Sequence, residues 1–234
     1  MTAARFRKTT TCVLAGALVA GALVVPAAAK KKAKPVPTTL YMHGASLVGE
    51  ADSSPQVADV PLPMDPNEPE GAEPKSHGIA NGVVTPNHRC AGNNLFPVFV
   101  GDVKGQIVGD MKVTLHAVAT PGKVDVRVWT DKIGLLCTSD VSGSAEYPEP
   151  AGEVTLDLPA GHGVIEAVFE DLNVLATTNL MIQVSPQANP VATPAGDRHY
   201  FAPFVARVLY DAVDYASNVE FSCIPPKGAT SCAS

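Results

Sequence analysis

The sequence predicts an all-β protein, an antiparallel β-sandwich of the jelly-roll kind with about eight to ten strands. The first observation is the stretch 111–130, where apolar and polar residues alternate on both sides of Pro121-Gly122 and His116 falls on the outward, polar face. A period of two buries one face of a strand and leaves the other in water, so this stretch predicts a β-hairpin at the centre of a sheet. The second observation is that similar short runs recur between Thr38 and Cys223 without a sustained helical period.

Residues 1–29 have the pattern of a secretory signal peptide. Arg5, Arg7 and Lys8 precede an apolar run, and three alanines supply small residues at the cleavage position. An uncleaved membrane anchor is the alternative, because the run is long and lysines follow it. Pro26 favours cleavage. The prediction is an extracellular protein, with residues 30–37 as a flexible Lys/Pro leader and no membrane span after cleavage.

Charge argues against nucleic acid as a partner. Removing the three basic residues of positions 1–29 from the 17 of the whole chain leaves 14 against 23 acidic side chains, a net charge of −9. An acidic surface repels phosphate backbones.

The remaining strands are predicted in order from short apolar or alternating runs. Thr38 to His43 predicts the first strand, and 49–78 predicts a long surface loop because six prolines interrupt any ladder. The run 95–100 contains Pro97 and predicts an edge strand. Gly101 to Asp110 predicts a turn that leads into the central hairpin. Further strands are predicted at 154–158, 164–169, 180–184, 204–210 and 219–223, all within a single sandwich domain of residues 38–234.

Four cysteines follow the signal segment: Cys90, Cys137, Cys223 and Cys232. An even number in an exported chain predicts two disulfides, for which three pairings are possible. Pairing of nearest neighbours, Cys90 with Cys137 and Cys223 with Cys232, is favoured. A zinc site is the alternative, but no pair has the two-residue spacing typical of structural zinc sites.

No catalytic motif is visible in the sequence. A Gly-x-Ser-x-Gly turn is absent, and the six histidines do not have the spacing of a helical zinc signature. The chain is therefore predicted to be non-catalytic and to need no cofactor.

Two pairs of carboxylates are candidate calcium ligands, because calcium takes oxygen atoms from neighbouring loops. They are Asp131 with Asp140 and Asp211 with Asp214. The alternative is that these carboxylates start turns by hydrogen bonding to the main chain. Trp129 falls on the polar face of its strand by the alternation, which predicts an exposed side chain available as a contact.

Three runs carry a resemblance to known proteins: TTLYMHG, MKVTLHAVATPGKVDVRVWTD and RVLYDAVDYASNVEFSC. Together they resemble a group of uncharacterised secreted proteins from high-GC Gram-positive bacteria. The middle run is also similar to the pre-peptidase C-terminal β-sandwich domains of secreted peptidases, over about residues 95–184. The resemblance implies a jelly-roll-like accessory module, here without a peptidase, and transfers no site residues.

These observations lead to three functional hypotheses. The first is a binding or adhesion-type module acting at the cell surface through the loop 49–78 and Trp129, with a cell-wall polymer, polysaccharide or surface protein as partner. The second is an exported hydrolase assembled from distant residues, with His43 and His88 as first candidates. The third is a structural envelope component that self-associates through edge strands such as 95–100.

Overall fold

The computed structural model describes residues 33–44, 62–81, 84–86, 98–131, 149–187, 189–192, 198–201 and 204–233. Within them the chain forms fourteen β-strands and one short 3₁₀ turn, Val213–Tyr215. The strands in chain order are β1 (Val36–Met42), β2 (Leu62–Asp65), β3 (Lys75–Asn81), β4 (Val84–Pro86), β5 (Val98–Asp102), β6 (Gly105–Ala119), β7 (Gly122–Thr130), β8 (Gly152–Leu158), β9 (Gly161–Ala176), β10 (Asn179–Pro186), β11 (Asn189–Ala192), β12 (Arg198–Phe201), β13 (Val205–Tyr210) and β14 (Asn218–Ile224).

The predicted all-β, mostly antiparallel fold is confirmed, with more strands than the eight to ten expected. Eleven strands form one sheet with the path β3-β13-β6-β14-β1-β2-β5-β10-β7-β8, and β9 joins it by pairing with β6. The single parallel ladder described joins β2 to β5. Strands β11, β12 and β4 form a second, small sheet. Both sheets belong to one compact unit, Ala33–Ser234.

Strand β6 is the most extensively paired strand described. One edge pairs with β9 from Gly105 to Ala119. The other edge is shared by two strands, with β13 along residues 116–119 and β14 along residues 106–114. The turn predicted over 101–110 is therefore wrong, because β6 begins at Gly105. The strand accommodates its glycines through a shift in the pairing register between Gly109 and Met111.

The predicted hairpin of residues 111–130 is wrong in its pairing, although both of its strands form. The edges of β6 are taken by β9, β13 and β14, and those of β7 by β10 and β8. Along the sheet β6 and β7 are separated by β14, β1, β2, β5 and β10. The alternation of apolar and polar residues predicts which face of a strand is buried, but it does not predict which strand lies beside it.

Both strands nevertheless face the same core, because the sheet curves around one apolar interior. Val113, Leu115 and Ala117 of β6 and the valines 124, 126 and 128 of β7 are all fully buried in a single cluster. The two strands thus cover that core as parts of different walls. This arrangement is the sandwich that the inward-facing residues predict.

Two further expectations need correction at the amino-terminal end. The first strand begins at Val36, inside the predicted leader, because Val36 and Pro37 extend the ladder to β14. The predicted loop 49–78 contains β2 and the start of β3, and Pro63 takes part in β2 by accepting a hydrogen bond from the His43 N–H at 2.9 Å. Residues 1–29 and 49–61 lie outside the described residues. In the part of the chain that the structure describes, no helix has the length and apolar character that a membrane span requires.

Ser217 is a buried residue that lies beside β6, between the end of β13 and the start of β14. The Ser217 hydroxyl donates to the Leu209 carbonyl at 2.6 Å and accepts from the His116 N–H at 2.9 Å. Its own carbonyl accepts from the Met42 N–H at 2.9 Å. Ser217 is fully buried, so it satisfies two main-chain groups that water does not reach.

The disulfide Cys223–Cys232 forms as predicted and closes a loop with a sequence separation of 9. Gly105 lies against it: a Cβ atom there would stand 2.7 Å from the Cys223 Sγ and 2.5 Å from the Ile224 carbonyl oxygen. Its φ of +146° also lies outside the range of other residues. Cys90 and Cys137 are outside the described residues, so their pairing stays a prediction.

We expect Ser217→Ala to lower the free energy of unfolding by about 1–3 kcal/mol, because it leaves the Leu209 carbonyl and the His116 N–H buried without a partner. Urea denaturation followed by circular dichroism measures the change. Ser231→Ala is the matched control, since the Ser231 hydroxyl is exposed and its hydrogen bonds are to the main chain of Ala233. Equal stability of the two variants would contradict the assigned role of Ser217.

We also expect the double variant Cys223→Ala/Cys232→Ala to lose roughly 2–3 kcal/mol of unfolding free energy, the loop-closure entropy of a ring of this length. The midpoint of urea denaturation under non-reducing conditions tests this. A midpoint identical to that of the wild type would contradict the expected loop-closure contribution of the bond.

Candidate functional site

The outer face of the β13-β6-β9 part of the sheet carries an unusual set of side chains. Ladder pairing places Val118 beside His162 of β9 and Arg207 of β13. One step along the same face, His116 lies between Val164 and Leu209. Residues paired in this way point to the same side of a sheet, so the two rows form one continuous surface. We call it the β6–β9 patch: Val118, Val164, Leu209, His116, His162 and Tyr215.

The patch exposes aliphatic side chains where a sandwich wall normally carries polar ones. Val118 is 42% exposed and Val164 is 52% exposed, and Val168, on the far side of Glu166 on the same face of β9, is 45% exposed. The inward residues of the same strands, such as Leu115 and Ala167, are buried. Because a single exposed valine is ordinary but neighbouring ones on one face are not, this surface is a candidate for contact with a partner.

The rings of His116, His162 and Tyr215 pack together at one end of the patch. The imidazole centres of His116 and His162 are 6.1 Å apart with their planes 22° apart. The Tyr215 ring stands nearly perpendicular to both, with its centre 5.8 Å from that of His116 and 5.2 Å from that of His162. Tyr215 comes from the 3₁₀ turn between β13 and β14, so three separate parts of the chain supply the rings.

The His116 ring lies in a less polar setting than an exposed imidazole. Burial lowers the pKa of His116, and the nearby His162 lowers it further by charge repulsion. Its Nδ1 atom is buried and finds no hydrogen-bond partner among the described residues. Buried ring nitrogens usually have a partner, so this atom marks the ring as unusual.

Charged residues border the patch along β6. Lys112 lies between Glu220 of β14 at 3.0 Å and Glu166 of β9 at 3.5 Å. The hydrogen bond from Lys112 to Glu220 is the main reason that the pKa of this ammonium group is raised. All three side chains are exposed, so the group forms a solvated rim.

Trp129 belongs to β7, which five strands separate from β6 along the sheet, and the prediction that its side chain is exposed is wrong. Its side chain is 6% exposed and packs in a small cluster with Val98 and Met181. All residues of β10 are buried on both faces, including Gln183. The outer face of this wall is therefore covered, and alternation alone cannot distinguish a covered outer face from an exposed one.

Beside Trp129, the polar residues of the same outer face form a closed network around Arg127. Its guanidinium donates to Ser185 Oγ at 2.6 Å, to Asp125 at 2.9 Å and to Glu153 at 2.8 Å. The Thr155 hydroxyl donates to the second oxygen of Asp125 at 2.7 Å. These groups satisfy one another, which suits a structural role in joining β7, β8 and β10.

Asp131, a predicted calcium ligand, has its carboxylate occupied by main-chain donors. It accepts hydrogen bonds from the N–H groups of Thr177, Thr178 and Asn179 at 2.7–3.2 Å and so caps the turn between β9 and β10. Burial acts to raise the pKa of this carboxyl, but these hydrogen bonds outweigh it and lower the pKa to about 2. Its φ of 59° suits a turn position that Asp tolerates. Asp140 lies outside the described residues.

Asp211, the other predicted calcium ligand, is paired with the side chains of His43 and Lys75. Its carboxylate accepts from His43 Nδ1 at 2.8 Å and from Lys75 Nζ. Burial acts to raise the pKa of Asp211, yet the hydrogen bonds from Lys75 and His43 prevail and lower it. Asp214 is exposed in the neighbouring 3₁₀ turn. The structure thus brings His43 and Asp211 together, a pairing that the sequence did not indicate.

The contacts of His43 limit what this pair can do chemically. His43 Nε2 faces the main-chain carbonyl of Asn67 at 2.9 Å. Both ring nitrogens therefore face oxygen acceptors, and only the doubly protonated ring donates to both. A histidine that activates a nucleophile needs a free nitrogen directed at a hydroxyl or thiol. The arrangement instead ties residues 65–67 to β1 and β13.

The sites predicted from the sequence and the site found in the structure are largely different. Among the described residues no group of three or more His, Cys, Asp or Glu side chains is placed to hold a metal. His88 lies outside them. The alternation did place His116 on an outward face, but its approach to His162 and Tyr215 depends on the β6–β9 register and on the β13–β14 connection, for which the sequence offers no signal.

Comparison with known proteins does not identify a family. No family model matches the chain, and no curated protein matches it. The chain is similar in structure to an aminopeptidase from the marine sediment archaeon Thaumarchaeota archaeon, with 13% identity and a TM-score of 0.44 over 81% of this chain and 37% of that one. It is also similar to a CocE/NonD family hydrolase from Staphylococcus aureus, with 11% identity and a TM-score of 0.38 over 81% of this chain and 36% of that one. The chain spans little more than a third of either protein, and these TM-scores assign it no activity.

The low pKa of Asp131 predicts a pH-dependent contribution to stability. A carboxyl whose pKa falls on folding stabilises the protein above its unfolded pKa, and this contribution is lost as the pH falls through the folded pKa. We expect Asp131→Asn to be less stable than the wild type at pH 7 by about 2 kcal/mol, and this difference to disappear between about pH 4 and pH 2.

Urea midpoints at pH 7 and pH 2.5 measure this difference. Asn keeps one acceptor oxygen and tolerates the same backbone conformation, so the comparison isolates the charge. Asp102→Asn is the control because Asp102 is exposed. A deficit in Asp131→Asn that is the same at both pH values would contradict the assignment.

Proposed function

We propose that this chain is a secreted, non-catalytic β-sandwich that binds a protein at the cell surface through the β6–β9 patch. The observation that carries the proposal is the exposure of Val118 and Val164, which are the ladder partners of His162 and His116. Complete burial of an exposed valine side chain contributes about 1.5–3 kcal/mol, and about half of that remains available at Val118 and Val164, so the contact has to include several such residues. The acidic and basic rim around Lys112 would then set the orientation of the partner.

The chemistry of the patch favours a protein over a polysaccharide as partner. Sugar-binding surfaces use the exposed flat faces of aromatic rings. Here Tyr215 is half-buried and both imidazoles pack against it. Exposed β-branched side chains on a sheet face instead suit packing against the apolar surface of another protein.

Secretion is part of this proposal and rests on the sequence of residues 1–29 and on the Cys223–Cys232 disulfide. Such bonds persist in oxidising compartments. An exported hydrolase is the alternative, and the His43–Asp211 pair would be its starting point. The engagement of both His43 nitrogens favours the binding module over it.

The test uses protein purified from the medium of cells that express the full-length chain. Amino-terminal sequencing of this material should begin at residue 30 if the signal segment is removed. Binding to intact cells is then compared with binding to protease-treated cells and to purified wall polysaccharide. We expect saturable binding that protease treatment abolishes.

Two variants locate the contact surface. Val164→Glu places a charge in the patch and should weaken binding at least about tenfold, since one desolvated charge costs more than 1.4 kcal/mol. Leu175→Glu is the matched control, because Leu175 is also exposed on β9 but lies at its other end. Full binding by Val164→Glu would remove the patch from the proposal, and binding that survives protease and is reproduced by polysaccharide would make the ligand a polymer.

A further inference from the structure

We infer that His116 and His162 form a surface site for a divalent transition-metal cation that prefers imidazole ligands, such as Zn²⁺, Cu²⁺ or Ni²⁺. The two residues lie on adjacent strands, diagonal to one another on the same face, because His116 pairs with Val164 and His162 pairs with Val118. Two strands with a fixed register hold the rings close without any loop. This is a scaffold of the kind that positions ligands well.

The separation of the rings fits one shared cation. A divalent ion such as Zn²⁺ holds an imidazole nitrogen at about 2.0–2.1 Å, and that nitrogen lies about 1.1 Å from the ring centre. Two rings on one ion therefore have centres about 4.5 Å apart at a ligand angle of about 90°, about 5.1 Å apart at the tetrahedral angle and about 6.3 Å apart when they lie on opposite sides of the metal. The observed separation of 6.1 Å falls within this range. The rings have to rotate from their nearly parallel orientation, with planes 22° apart, to direct one nitrogen each at a shared ion.

The unpartnered Nδ1 atom of His116 is the second observation. A buried nitrogen without a hydrogen bond is costly, and an ion is one of the partners that relieves this cost. The χ2 torsion of histidine is two-fold, so the ring can present either edge to the space beside His162. The Tyr215 ring lies nearly perpendicular to both imidazoles, with its centre 5.8 Å from that of His116 and 5.2 Å from that of His162.

The donor set selects the class of cation. Imidazole suits Zn²⁺, Cu²⁺ and Ni²⁺, and the affinity of such a site is expected to be highest for Cu²⁺. Calcium and magnesium require oxygen ligands and should not bind here. Two protein ligands leave at least two coordination positions for water or for a side chain of another molecule, so the site is open.

This inference stands apart from the proposed function, because cation binding needs the two rings and not the valines. A variant that loses the cation and keeps the protein partner would leave the binding module intact. A variant that loses the partner and keeps the cation would leave the metal site intact.

The experiment is a titration of untagged, chelator-treated wild-type protein with Cu²⁺ and Zn²⁺, followed by calorimetry and by the ring nitrogen–hydrogen NMR signals of histidine. We expect one site at which Cu²⁺ first broadens the signals of His116 and His162. In His162→Ala this site should weaken about tenfold or more, since half of the protein ligands are gone. Adding Ca²⁺ should leave the same signals unchanged.

His43→Gln is the matched control, because it removes another half-buried imidazole whose two nitrogens are already engaged. It should bind Cu²⁺ as the wild type does. Equal binding by the wild type and the double variant His116→Ala/His162→Ala would overturn the inference, as would earlier broadening of the other histidine signals. If a variant fails to fold, the order in which Cu²⁺ broadens the histidine signals of the wild-type protein still tests the inference.

Discussion

The pairing of β6 on both edges is the constraint on which the rest of the structure depends. Strand β9 follows the full length of one edge, while β13 and β14 divide the other edge between them. The division leaves a gap in the ladder between the two strands. Ser217 fills it with hydrogen bonds that reach His116, a residue 101 positions away in the chain. Main-chain hydrogen bonding around β6 therefore ties the carboxyl-terminal strands to the middle of the chain.

The candidate site follows from the same pairing. Because β13 stops beside His116, the connection Asp211–Ser217 turns back at that point and places Tyr215 over the outer face of β6. The register of β9 adds His162 and Val164 from the other side. An apolar and aromatic surface arises where three parts of the chain meet, and none of the three would form it alone. The proposed binding role and the inferred cation site both use this convergence.

The opposite wall of the sandwich shows what a structural outer face looks like. There Arg127, Asp125 and Ser185 satisfy one another, Trp129 is buried, and both faces of β10 are covered. The carboxylates of Asp131 and Asp211 are likewise occupied, one by main-chain donors and one by His43 and Lys75. Polar groups that have their partners within the chain stabilise the fold, whereas the valines and rings of the β6–β9 patch remain open to another molecule.

The sequence by itself determined the all-β class, the inward faces of β6, β7, β8 and β10, and the Cys223–Cys232 bond, because alternation and short separations are local properties. Only the tertiary structure decided which strands are neighbours. The chain Met111–Thr130 has the alternation of a hairpin, yet its two strands lie in different walls, since the burial of one face is satisfied equally well by any partner that completes the core. For the same reason the sequence placed His116 on the outside but could not bring His162 and Tyr215 beside it.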